Sequence, residues 1–208
     1  MLKAMSSRLK QCKASRRERR TERLTARAAD LSKSQDHDLL FLHQKGFVRA
    51  RATGQSITQI HGEVESLIRK TLRVVIKPGT YSVSSGNYQN MVTRCEYSFT
   101  LYPCTSRNVS INASCINSGR PIPTEKNRFY GVRRVSNDLA RFLDATQNTD
   151  PMVVQAGVWA LTDNYSGQDI QTRLVLRDQY GNTHQAVSTA NIAEARSILN
   201  NLGIHHRL

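Results

Sequence analysis

The chain is poor in acid, in aromatic rings and in catalytic signatures. Only 16 Asp/Glu stand against 30 Lys/Arg, so the net charge is +14 and the isoelectric point lies near 10.2. There is no Walker loop, no G-x-G-x-x-G, no H-E-x-x-H and no G-x-S-x-G, which leaves no nucleotide cradle, no zinc-hydrolase helix and no nucleophile elbow to argue from. No stretch approaches the roughly 20 apolar residues a membrane-spanning helix needs. The four cysteines, Cys12, Cys95, Cys104 and Cys115, form no C-x-x-C pair and have no histidine at ligand spacing, so neither a zinc site nor any other cofactor is expected. The six histidines are scattered, and any Ser/His/Asp combination picked from them lacks the local geometry that would give it meaning. An enzymatic activity is therefore not expected.

An export signal is lacking as well. Residues 2–5 are too short for an apolar signal core, and residues 10–27 are almost wholly polar. A cytoplasmic location with reduced thiols is expected. The alternative is a mitochondrial presequence, because residues 1–17 are basic and free of acid until Glu18, Glu22 and Asp30 follow.

What is present divides the chain in two. Residues 1–36 hold 11 Lys/Arg and 4 Asp/Glu, a net of +7, half the excess charge in about a sixth of the length. Residues 1–45 contain neither glycine nor proline and are rich in good helix formers. A basic arm, helical or disordered, is expected over 1–45, and its arginines Arg16, Arg17, Arg19, Arg20, Arg23 and Arg27 are the candidate polyanion contacts. Helical spacing puts Arg16 and Arg20 on one face and Arg19, Arg23 and Arg27 on another. The arm has no interleaved aromatics, so base stacking is not indicated there. A solvated tail that only aids solubility is the plainer reading of the same charge. Leu39, Leu40, Phe41 and Leu42 form an apolar clasp where the arm meets the body.

Residues 46–208 are expected to form one domain. Strands are read over 47–52 and 57–67, separated at Gly54, and over 72–76, ended by Pro78-Gly79. Met91, Thr93, Cys95, Tyr97, Phe99 and Leu101 then alternate with polar residues, as do Val109, Ile111, Ala113 and Cys115. Such alternation marks sheets with one buried and one wet face, and several short strands in series suggest an antiparallel β-sandwich. After Pro121 and Pro123 the pattern becomes helical. Ser136 caps one helix, and Asp150-Pro151 opens a second that is apolar nearly all round. A hairpin about Gly181-Asn182 within 173–187 and a last helix from Thr189 complete an α+β chain: a β-sandwich, a small helical subdomain, then a C-terminal hairpin and helix.

The second of these helices carries Val154-Gln155-Ala156-Gly157-Val158-Trp159. This string resembles the Thr-Gln-x-Ala-Ile-Trp motif of the thioester domains of Gram-positive surface adhesins, with Val154 and Gly157 in place of Thr and Ala. The resemblance implies a covalent-binding domain in which Gln155 is joined to a cysteine thiol, Cys104 or Cys115, with Trp159 beside it. The alternative for Gln155 is structural, a buried amide hydrogen-bonded across the junction of sheet and helix. The order from Ile76-Lys77-Pro78-Gly79 through Gln89-Asn90-Met91 to Cys115 and residues 155–159 is also similar to uncharacterised β-sandwich-plus-helix domains, which implies architecture and no activity. Asp163 and Asp169, flanking a polar loop, are the remaining candidate cation ligands.

Three functions are compatible with these residues: a non-enzymatic module that binds another macromolecule, such as a protein partner, while its arm attaches to nucleic acid or an anionic surface; a thioester-type covalent binder; and a virus-like shell subunit, built from an arginine-rich arm and a β-sandwich.

Overall fold

The computed structural model describes the backbone of residues 2–177, 180 and 182–208, and the side chains from residue 14 on, except 176 and 177. Six of its strands close into an antiparallel barrel, which corrects the expected sandwich. The barrel strands are β2 (Val48–Ser56), β3 (Gln59–Ser66), β5 (Thr80–Ser84), β6 (Asn90–Thr93), β8 (Ser106–Ile116) and β9 (Arg128–Arg134). Their order is β2-β3-β8-β6-β5-β9, with β9 returning to β2.

Strand β9 makes the difference, and it lies where a helical pattern was expected. It pairs with β2 (Ala52 to Phe129) and also with β5 (Tyr81 to Arg133), joining two edges that a sandwich would leave open. Its alternation is hard to read. Gly131 sits at φ 119°, and the register against β5 shifts between Ser82 and Ser84, so the period of two is broken inside the strand. Gly54, expected to end a strand, lies within β2. A Cβ there would stand 2.5 Å from the Pro123 carbonyl oxygen, so the glycine admits the proline loop against the barrel.

The alternating residues do face inward as the pattern requires. Ile60 and Val64 of β3, Val109, Ile111, Ala113 and Cys115 of β8, Met91 of β6 and Phe129 of β9 share one buried cluster. The lumen retains only about 30 Å³ of free space, so the barrel is a packed core rather than a container. The run from Met91 to Leu101 changes sheet and its parity breaks where it does so, with Arg94 buried and Cys95 half-buried, before Phe99 and Leu101 turn inward again. At Arg94-Cys95-Glu96 the chain leaves β6, and β7 (Tyr97–Leu101) joins a separate sheet with β4 (Leu72–Ile76) and β1 (Asp36–Asp38) in the order β1-β4-β7. That small sheet adds Leu72, Val74, Ile76, Phe99 and Leu101 to the same core.

Among the described residues there are six helices. The first, α1 (Leu2–Arg27), is 26 residues long. Its final turns are built into the body: Leu24 and Ala28 are buried in the barrel cluster, and the Lys70 ammonium donates to the Ala28 and Ala29 carbonyls (2.9 and 2.6 Å), where the helix dipole is negative. The clasp forms α2 (Leu39–Gln44), with Leu39 and Leu42 in the same core. The helices expected after Pro123 are present as α3 (Asn137–Ala145), α4 (Pro151–Thr162) and α6 (Thr189–Asn201), although Ser136 stands at the N-cap of α3 without a side-chain capping hydrogen bond. Pro151 opens α4, Asp150 accepts from the Met152 N–H at 2.7 Å, and all of residues 153–160 are buried. Gly157 is required by packing: a Cβ there would lie 2.1 Å from the Phe142 ring of α3. A short α5 (Gly167–Arg173) was not foreseen, although its Ser166/Asp169 capping box is visible in the sequence. The hairpin forms from β10 (Val175–Arg177) and β11 (Thr183–Gln185), while Gly181 of its expected turn lies outside the described residues. Among the described residues no helix is long and apolar enough to cross a membrane.

Candidate polyanion cleft and the Gln155 junction

The outside of the barrel has two contrasting walls. On the first, Val92 of β6, Ile116 of β8 and Tyr81 of β5 pack in a second apolar cluster with α3, α4 and α6. Gln155 holds this junction. Strand β3 leaves β8 after pairing Gln59 with Asn112, and the Ala113 N–H is then taken by Thr58 O. Two residues on, the main-chain groups of Cys115 point to the same vacated edge. Gln155 Oε1 accepts from the Cys115 N–H at 2.9 Å, Gln155 Nε2 donates to its carbonyl at 2.8 Å, and Trp159 Nε1 donates to that carbonyl at 2.9 Å. One side-chain amide thus replaces the missing strand, and no polar atom of Gln155 is spare.

The structure brings Gln155 and Cys115 together, but through the Cys115 main chain. The thiol turns into the barrel, where it approaches Met91 Sδ at 3.3 Å and Ile57 O at 3.8 Å. Burial pushes it up to about 12, far from a thiolate at neutral pH. Cys104 is exposed beyond β7, at φ 56°, with its thiol 3.6 Å from Ile68 O. The hydrogen bonds of Gln155 are those of the structural alternative. Asp163 accepts from Ser118 and Thr162, and Asp169 caps α5. Among the described residues no group of three or more His, Cys, Asp or Glu is placed to hold a metal ion.

The second wall is polar. The inward parity of β2 and β3 sends Arg49, Arg51 and Thr53 outward beside Glu65, Glu63 and His61, their respective cross-strand partners. Helix α1 docks at one end of this wall and leaves a cleft of about 670 Å³ between itself and the barrel. The cleft is lined by Arg16, Arg17 and Arg20 of α1, by Arg49 and Arg51 of β2, and by only two acids, Glu63 and Glu65. Glu65 is shared by Arg49 (2.9 Å) and Arg17 (3.3 Å). Arg16, Arg20 and Arg51 have no ion pair among the described residues. Arg19, Arg23 and Arg27 lie on the solvent side of the helix and do not line the cleft. Sequence reasoning missed Arg49 and Arg51; their alternation with Ala50 and Ala52 was the available signal.

Fold and site together define a small closed-barrel protein with a docked basic helix. No protein family, curated protein or solved structure matches the chain.

Proposed function

We propose that the protein is a non-enzymatic interaction module whose cleft between α1 and the barrel binds a polyanion. One observation carries this reading: five arginines from two separate elements converge on one hollow against two glutamates, and three of them have no ion-pair partner among the described residues. Convergent like charge of this kind is destabilising in itself and is relieved by an anionic ligand. The docked end of α1 supports it too, since Leu24, Ala28 and the Lys70 cap hold the arginines of the preceding turns at a set distance from the barrel.

Two matched triple variants test the proposal. R16Q/R17Q/R20Q and R19Q/R23Q/R27Q each remove three charges from α1, the first inside the cleft and the second outside it. Binding of labelled heparin should fall at least tenfold more in the first than in the second, with unchanged thermal melting in both. Equal losses would reduce α1 to a tail of undirected charge.

A further inference from the structure

The cleft does not end at α1. Arg51 and Glu63 also line a second hollow of about 430 Å³, which continues along the same wall over His61, Asn108, Arg128 and Tyr130. Across the two hollows six arginines oppose two glutamates. At the far end stands Tyr130, on the outward parity of β9 between the buried Phe129 and Gly131, with 64% of its surface exposed. An aromatic ring held on a rigid strand at the end of a basic track is the arrangement that takes a base face-on while its phosphates follow the charge.

Resting on the polyanion reading, we infer that the ligand is single-stranded nucleic acid, lying from the α1 cleft across β2 and β3 to stack a base on Tyr130. Size and chemistry both favour a single strand. Each hollow is of the size that encloses a small molecule, so it accommodates individual nucleotides in sequence rather than a duplex, whose bases are stacked on one another and closed to Tyr130. The side chains offered to the bases, Asn108 and His61, are few, and most of the track is guanidinium. Binding is therefore strongly salt-dependent and tolerant of sequence.

Fluorescence anisotropy of the full chain with a labelled 12-nucleotide single strand, a duplex of the same length, heparin and vesicles rich in phosphatidylglycerol tests this. The single strand should bind more tightly than the duplex. Tyr130→Ala should weaken the single strand about tenfold, Tyr130→Phe should restore it, and neither should alter heparin binding. The exposed Cys104 thiol, which lines the α1 cleft, should be shielded from iodoacetamide by the bound strand, as read by peptide mapping. Tighter duplex or vesicle binding, or an unchanged affinity in Tyr130→Ala, overturns the single-strand assignment while leaving the cleft as a polyanion site. Absence of binding to all four probes overturns both.

Discussion

The two outer walls of the barrel are made from strands of the same alternating design, yet one is covered and the other is bare. On the covered wall the outward positions include Val92 and Ile116, which pack against α4. On the bare wall they are Arg49, Arg51, Glu63 and Glu65, and the helix that docks there contributes only Leu24 and Ala28 to the core among its described side chains, its other contacts being polar ones such as Arg17 with Glu65 and Glu18 with Arg69. The two helices differ in the same sense. Residues 153–160 of α4 are buried on every side, while residues 16–20 of α1 are all exposed. A helix without an apolar stripe gains nothing by lying flat on a sheet, so it anchors at one end and leaves a gap beneath the rest. The cleft is a consequence of that imbalance.

This contrast can be broken most severely from the covered side. Val92→Asp places a carboxylate under α4, and it should destabilise the fold by more than about 4 kcal/mol or prevent folding; urea denaturation measures it, and a mild effect would mean that α4 is not firmly seated. Next comes the amide that stands in for a strand. Gln155→Leu keeps the volume but leaves the Cys115 N–H buried and unpaired, an expected loss of about 2 kcal/mol in the same assay.

The alkaline limb of stability probes the inside of that strand. Burial raises the Cys115 thiol from 9.0 to about 12. Below pH 9 the thiol is protonated in folded and unfolded chains alike and exerts no pH effect. Above it the unfolded chain releases the proton that the folded chain keeps, so stability falls as pH rises, by about 1 kcal/mol at pH 10. The difference in pH slope between the parent and Cys115→Ala isolates this contribution, and parallel slopes would show that the thiol titrates normally. The smallest effect belongs to the bare wall. Arg51→Gln should change stability by less than about 0.5 kcal/mol while weakening polyanion binding, and this separation of folding from binding is what distinguishes the two walls.

Much of this was legible in the chain. The parity of Met91, Thr93, Val109, Ile111, Ala113 and Cys115 marks the barrel interior correctly, because a pleated strand buries alternate residues whatever closes the sheet. Asp150-Pro151 locates the start of α4, since capping is a local interaction. Closure was not legible. A sandwich and a barrel write the same alternation, and β9, which decides between them, hides its period behind Gly131 and a register shift. The candidate site divided in the same way. Helical spacing separates Arg16 and Arg20 from Arg19, Arg23 and Arg27 within one element, whereas bringing Arg49, Arg51 and Tyr130 into line with the first pair needs the barrel.

By itself, then, the sequence determined the inward and outward sides of its barrel strands, the capped start of α4 and the concentration of positive charge near the N-terminus, because each depends on residues within a few positions of one another. Only the tertiary structure decided that the sheet closes, that Gln155 serves as the partner of an abandoned strand edge, and that arginines of α1 and β2 share one cleft. These depend on pairings between segments far apart along the chain, which no local pattern encodes.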